Sequence, residues 1–131
     1  MIGVPKGVLR LAALRLLSES SMSGKDLSEQ IRRITDGQWA PGPGSVYLML
    51  GELLKKGLIT ELPRREGNVR RYIVSGRGKE ELAKLSKAID SDVTRQLRLL
   101  GVYSSLAGRP EIKEKFDSMA SELASGQGNT K

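Results

Sequence analysis

A helical stripe that outruns its own domain sets the first limit on what this chain can fold into. Leu82, Leu85, Ile89, Val93, Leu97 and Leu100 follow one another at steps of three and four, the spacing that lines one face of an α-helix. At about 1.5 Å per residue the stripe runs for roughly 30 Å. The whole chain has 131 residues, one domain's worth of material, and the rest of so small a domain is too short to cover that face. Either the stripe folds back into its own core or it meets a second copy of the chain, and its length favours the second copy.

Ser75 is the expected N-cap of this helix, which starts near Gly76 and is broken by Gly108 and Pro110. A last short helix follows, with Ile112, Phe116, Met119 and Leu123 on one side, and residues 125–131 read as a disordered tail. At the other end, residues 4–17 form a helix whose apolar residues, Leu9, Leu11, Leu14 and Leu16 among them, wrap most of the way round. Such a helix must be covered on nearly every side. Pro5 suits its first turn, and the stretch 18–23 ends it.

Ser23 then caps a second helix, with Asp26 in the capping-box position and Leu27, Ile31 and Ile34 as its inward stripe. The loop 37–44 holds Trp39, Pro41 and Pro43. It leads into a third helix, ending near Lys56, that turns Val46, Leu50, Leu53 and Leu54 inward and has Gly57 as its C-cap. Two strand-like segments, 58–65 and 69–75, are joined through Glu66, Gly67 and Asn68 as a hairpin, and Pro63 marks the first as an edge strand. The expected architecture is mostly α with a small β-hairpin: a winged helix-turn-helix over residues 1–75, of three helices and a two-stranded wing, then a helical dimerisation region over 76–124.

Composition narrows the chemistry. The 22 Lys and Arg against 15 Asp and Glu leave a net charge of +7, which directs attention to polyanions, with nucleic acid ahead of an anionic membrane surface. No cysteine or histidine occurs, so disulfides, thiolate chemistry and the usual zinc ligands are excluded. The side chain most used as a general base near neutral pH is also missing, and no motif of catalytic mechanics appears. An enzyme is not expected, nor is a cofactor or metal. There is no leader pattern and no run of 18 apolar residues, so the expected setting is soluble and cytoplasmic, with no membrane partner.

Charge is concentrated where the wing would project. Residues 1–75 hold 12 basic and 7 acidic side chains, +5 of the +7, and Arg64, Arg65, Arg70 and Arg71 bracket the hairpin tip with Glu66 alone opposing them. Edge protection against sheet aggregation would account for some of these arginines. Four within eight residues exceed that need, and phosphate neutralisation is the simpler account.

The segment Trp39-Ala-Pro41-Gly-Pro43-Gly44-Ser45-Val46-Tyr47 resembles the W-x-P-x-P-G-S-[IV]-Y signature of PadR-like transcriptional regulators. The resemblance extends through Met22-Ser23-Gly24, Leu50, Leu53, Lys56-Gly57-Leu58-Ile59, Arg71-Tyr72 and Ser75-x-x-Gly78, covering about residues 9–85. It implies a homodimeric repressor or activator whose first and long C-terminal helices pack across a two-fold axis and which binds operators with paired half-sites. On those helices Leu9, Leu16, Leu85, Ile89, Val93, Leu97 and Leu100 are the candidate interface. Two positions depart from the pattern: Lys25 stands where an aromatic is usual, and Leu48 replaces a frequent proline. Some members line a ligand pore with aromatic residues at the dimer interface. Here one Trp, three Tyr and one Phe give a flat effector little to stack on; Trp39 is the one candidate for touching a small-molecule effector, against the reading that it packs its loop on the start of helix three.

The exposed face of helix three carries Gly44, Leu48, Gly51 and Lys55, flanked by Ser45, Tyr47 and Glu52. It has no Asn, Gln or Arg for bidentate contacts to adenine or guanine. Ser45 and Tyr47 are placed to bond phosphates and Leu48 to touch a thymine methyl. Together with Lys55, Arg64, Arg65, Asn68, Arg70 and Arg71 they are the candidate contacts to double-stranded DNA, with a modest, shape-driven sequence preference. Two other readings stay open: an architectural protein that coats DNA with little sequence choice, and a winged-helix module that binds protein.

Overall fold

The computed structural model describes residues 7–63 and 67–126. Its elements are α1 (Val8–Glu19), β1 (Met22–Ser23), α2 (Gly24–Ile34), α3 (Pro43–Lys55), β2 (Ile59–Glu61), β3 (Arg71–Val74), α4 (Gly76–Leu106) and α5 (Pro110–Gly126). The chain divides into two compact units, Met1–Ala83 and Lys84–Lys131. The first two turns of α4 therefore belong to the winged helix, where Leu82 is buried and Glu81 approaches Arg10 of α1 at 3.8 Å.

In the first unit, α1 buries Ala13, Leu14, Leu16 and Leu17 and leaves Leu9 and Leu11 half-buried, so one chain covers much of the helix but not all of it. The expected start of this helix at residues 4–6, Pro5 included, lies outside the described residues. Ser23 caps α2 as its sequence suggests. Its side chain accepts from the Asp26 N–H at 3.1 Å while the Ser23 N–H donates back to the Asp26 carboxylate at 3.4 Å, closing the capping box. Leu27 and Ile31 are buried, but Ile34 is 59% exposed. It sits in the last turn, where the chain leaves through Thr35 and a left-handed Asp36, and no element among the described residues covers the end of the stripe.

Helix α3 buries Val46, Met49, Leu50 and Leu53, Met49 adding to the inward set and Leu54 being half-buried. It ends in a Schellman motif: the Leu58 N–H reaches the Leu53 carbonyl at 2.9 Å and the Gly57 N–H reaches Leu54 at 3.0 Å. Gly57 makes this turn with φ +73°, a region that L side chains rarely adopt. The turn feeds Leu58 and Ile59 into the core and starts the wing.

The wing belongs to a three-stranded antiparallel sheet of order β1-β3-β2, where two strands are expected from sequence. Ile59 pairs with Val74, Thr60 with Ile73 and Glu61 with Tyr72, while Met22 and Ser23 pair with Tyr72 and Arg71. The ladder is shorter than the apolar pattern suggests: beyond Glu61 it gains the Leu62 N–H to Arg71 carbonyl bond, and Pro63 has no N–H to extend it. At the far end of β3, the Ser75 hydroxyl donates to the Gly57 carbonyl at 2.6 Å and accepts from the Gly78 N–H at 3.0 Å. Ser75 thus caps α4 and ties that cap to the end of α3. A Cβ on Gly78 would stand 1.9 Å from the Leu58 carbonyl oxygen, so α4 approaches this backbone as closely as only glycine permits.

In the second unit, the C-terminal part of α4 and α5 pack as a helical pair. Buried Gly101 lies beneath Lys113 and Asp117, which pair with each other along α5, and Ala120 is fully buried. At 17 residues α5 is longer than a short final helix, and it runs through Gly126 into the stretch expected to be a tail; residues 127–131 lie outside the described residues. Among the described residues no helix is long and apolar enough to cross a membrane.

The packing around Gly78 makes a direct test of the fold. Gly78→Ala should lower unfolding stability by about 3 kcal/mol, since the new methyl meets backbone that cannot step aside. Gly51→Ala, on a helix interior with nothing within 4 Å of the added Cβ, should raise it by about 0.5–1 kcal/mol. Urea unfolding of the two variants beside the parent checks both signs.

Candidate nucleic-acid interface

Three backbone features converge on one surface of the first unit. Ser23 caps α2, so the next residues, Gly24 and Lys25, lie at its exposed start. Gly42 begins α3 with no side-chain cap, followed by Pro43, leaving first-turn N–H groups and the positive end of the helix dipole directed outward. The wing returns through Gly67–Arg70 alongside. Between them is a shallow groove of about 510 Å³ lined by Ser23, Gly24, Lys25, Tyr47, Asn68, Val69, Arg70 and Tyr72.

Helix α2 packs against α3 beside the groove. A Cβ on Gly24 would lie 3.8 Å from the Tyr47 ring and 3.4 Å from Leu50, ordinary van der Waals distances, so α2 meets α3 at this point with space for a methyl group. Tyr72 is buried beneath the wing, whereas Tyr47 is 64% exposed at the groove wall. Lys25 and Arg70 contribute positive charge from opposite sides and Asn68 an amide, a set of donors suited to phosphate oxygens. A neighbouring cavity of about 540 Å³ continues along α2 past Ser28, Glu29 and Arg32 to Ala40 and Pro43.

Residues 13–84 match the transcriptional regulator PadR-like family, more than half of the chain. The chain belongs to the PadR-like family. Among curated relatives, Transcriptional regulator YqjI of Escherichia coli (strain K12) is 26% identical over 117 residues, which is 89% of this chain and 56% of that protein. The chain thus spans about half the length of the curated relatives it matches. A PadR-like transcriptional regulator of Bacillus cereus strain ATCC 14579 superposes with a TM-score of 0.64 at 24% identity, covering 72% of this chain and 93% of that one. Bacillus subtilis PadR, solved in complex with operator DNA, superposes with a TM-score of 0.54 at 18% identity over 95% of this chain and 97% of that one. These likenesses establish the winged-helix fold.

Within this PadR-like fold the candidates from sequence fall into separate groups. Tyr47, Asn68 and Arg70 share the groove. Ser45, Leu48 and Lys55 are exposed on α3 outside its lining. Arg64 and Arg65 lie outside the described residues. Arg71 is engaged elsewhere: its guanidinium donates to the Ser21 carbonyl at 3.0 Å and stands 3.5 Å from the Asp26 carboxylate, so it braces β3 against the start of α2. Lys25, noticed in the sequence only as a departure from the PadR-like pattern, joins the groove; its place two residues after the N-cap is the signal that locates it. Trp39 is half-buried, and its backbone is pinned by Thr35, whose hydroxyl accepts from the Trp39 N–H at 3.0 Å and lies 3.3 Å from its carbonyl. Of the candidate interface residues, Leu16 is 7% exposed within one chain, Leu9, Leu85, Ile89 and Leu97 are half-buried, and Val93 and Leu100 are exposed at 40% and 44%.

The adjacent arginines should separate in a stability measurement. Arg71→Ala should cost about 1 kcal/mol, from a half-exposed ion pair and a charged hydrogen bond to backbone. Arg70→Ala should stay within about 0.5 kcal/mol of the parent. Equal losses would contradict the division of roles.

Proposed function

We propose that this protein is a dimeric transcriptional regulator, a repressor in the simplest case, that binds double-stranded DNA through α3 and the wing. The observation that carries the reading is the groove in which Lys25, Tyr47, Asn68 and Arg70 meet beside the uncapped start of α3, on a chain of the PadR-like family. Operator DNA as the partner is carried over from Bacillus subtilis PadR. In this reading residues 1–75 hold the DNA-contacting surface and 76–124 the dimer contacts, with Ser45, Leu48 and Lys55 extending the groove's contacts and Arg64 and Arg65 as further phosphate-binding candidates.

Dimerisation is supported by the apolar surface that a single chain leaves uncovered on α4, where Val93, Leu99, Leu100, Val102, Tyr103 and Leu106 are all exposed. Val93 and Leu100 belong to the stripe read from the sequence, and exposed apolar residues gathered on one helix of a small protein mark an interaction surface. Regulation of transcription requires no catalysis, cofactor or metal from this chain, and places it in the cytoplasm beside the chromosome. A second reading, DNA coating with little sequence choice, is favoured by the plain face of α3, where Gly44 and Gly51 present no side chain.

Salt titration of duplex binding tests the proposal. Affinity should fall steeply with salt, and Arg70→Ala should reduce the slope of log K against log salt by about 0.9 per chain, the signature of one lost phosphate contact. Val93→Asp with Leu100→Asp should halve the sedimenting mass and weaken duplex binding. An operator bound at least ~10³ more tightly than random duplex separates a regulator from a coat. Binding indifferent to salt, or an Arg70→Ala slope equal to the parent's, contradicts the proposed interface.

A further inference from the structure

Leu48 is the exposed aliphatic side chain on the outer face of α3, flanked by Ser45, Tyr47 and Glu52. It is 73% exposed, and the residues on either side of it along that face, Gly44 four before and Gly51 three after, have no side chain. A Cβ added at either glycine meets nothing within 4 Å, so the backbone one turn before and one turn after Leu48 is open to solvent. Val46, Leu50 and Leu53 occupy the opposite side and are buried. The outcome is a low, smooth strip with one apolar knob facing solvent, an arrangement that leaves most of a leucine side chain unburied.

The chemistry available on that strip is narrow. Recognition helices touch base edges mainly with their N-terminal residues, here Gly44 to Leu48, and none of those side chains offers a bidentate amide or guanidinium. Lys55 lies two turns further on, and Glu52, one turn on, suits only a cytosine amine. The apolar group that the floor of the major groove presents is the C5-methyl of thymine. Resting on the DNA-binding reading above, we infer that Leu48 is a specificity-determining residue that reads thymine through its C5-methyl group, and that Gly44 and Gly51 provide the clearance for the α3 backbone to bring it to that depth.

The test uses duplexes enriched from a random pool by the full chain, remade with deoxyuridine in place of thymidine so that only the methyl is removed. Substituting the thymine that Leu48 touches should weaken binding about fourfold, the worth of one buried methyl. Leu48→Ala should weaken binding to the thymine duplex by a similar factor and be indifferent to the exchange; its melting temperature should match the parent's, since the side chain packs little. Comparing parent and variant on both duplexes cancels any change in DNA stiffness that the methyl causes. The inference is overturned if the parent binds thymine and uracil duplexes equally, if Leu48→Ala stays as sensitive to the exchange as the parent, or if enrichment fixes cytosine opposite Glu52 and no thymine. In each of those results duplex binding itself survives; failure to bind any duplex would instead remove the proposed function and this inference with it.

Discussion

The position of the wing depends on one side chain at the end of β3. Ser75 donates its hydroxyl hydrogen to the Gly57 carbonyl and receives the Gly78 N–H, joining the close of α3, the last residue after β3 and the first turn of α4 in one short chain of hydrogen bonds. Such a node works only if α4 comes very near the Leu58 backbone, and Gly78 is what allows it. With α3 and β3 anchored to the same point, the hairpin is set at a defined distance from the start of α3. The groove lies between Tyr47 on one side and Asn68 and Arg70 on the other.

Much of this was legible in the sequence because the signals are local. The caps at Ser23 and Ser75, the turn at Gly57 and the inward residues of α3 each depend on neighbours within a few positions, where periodicity and capping chemistry operate. Features that depend on distant partners escaped. A strand of two residues, Met22–Ser23, shows no alternation, and it exists because β3 offers an open edge to pair with. Arg70 and Arg71 read alike as a basic pair, yet Arg70 ends the loop that precedes β3 and Arg71 is the first residue of the strand. One is left at the groove while the other meets Asp26, a carboxylate 45 positions earlier that already closes a helix cap. The outward turn of Ile34 is a similar case: its spacing is right for a buried stripe, but the core ends before the helix does.

The two units present different surfaces to their surroundings. The first gathers positive charge and exposed backbone donors around a groove. The second leaves leucine, valine and tyrosine side chains on α4 in contact with water, at a cost that a second chain would relieve. For a small basic protein of the PadR-like family, the proposed division is coherent: apolar surface for self-association, polar surface for phosphate, and a single exposed leucine on α3 with the chemistry to sense a methyl group.

Amide chemical-shift mapping of the labelled protein during titration with duplex DNA tests the central claim most directly. The account predicts shifts concentrated in Gly24–Lys25, Gly44–Leu48, Lys55 and residues 64–70, with the α5 amides unmoved. Shifts centred on the exposed apolar residues of α4, or a spectrum unchanged by duplex in dilute buffer, would contradict it.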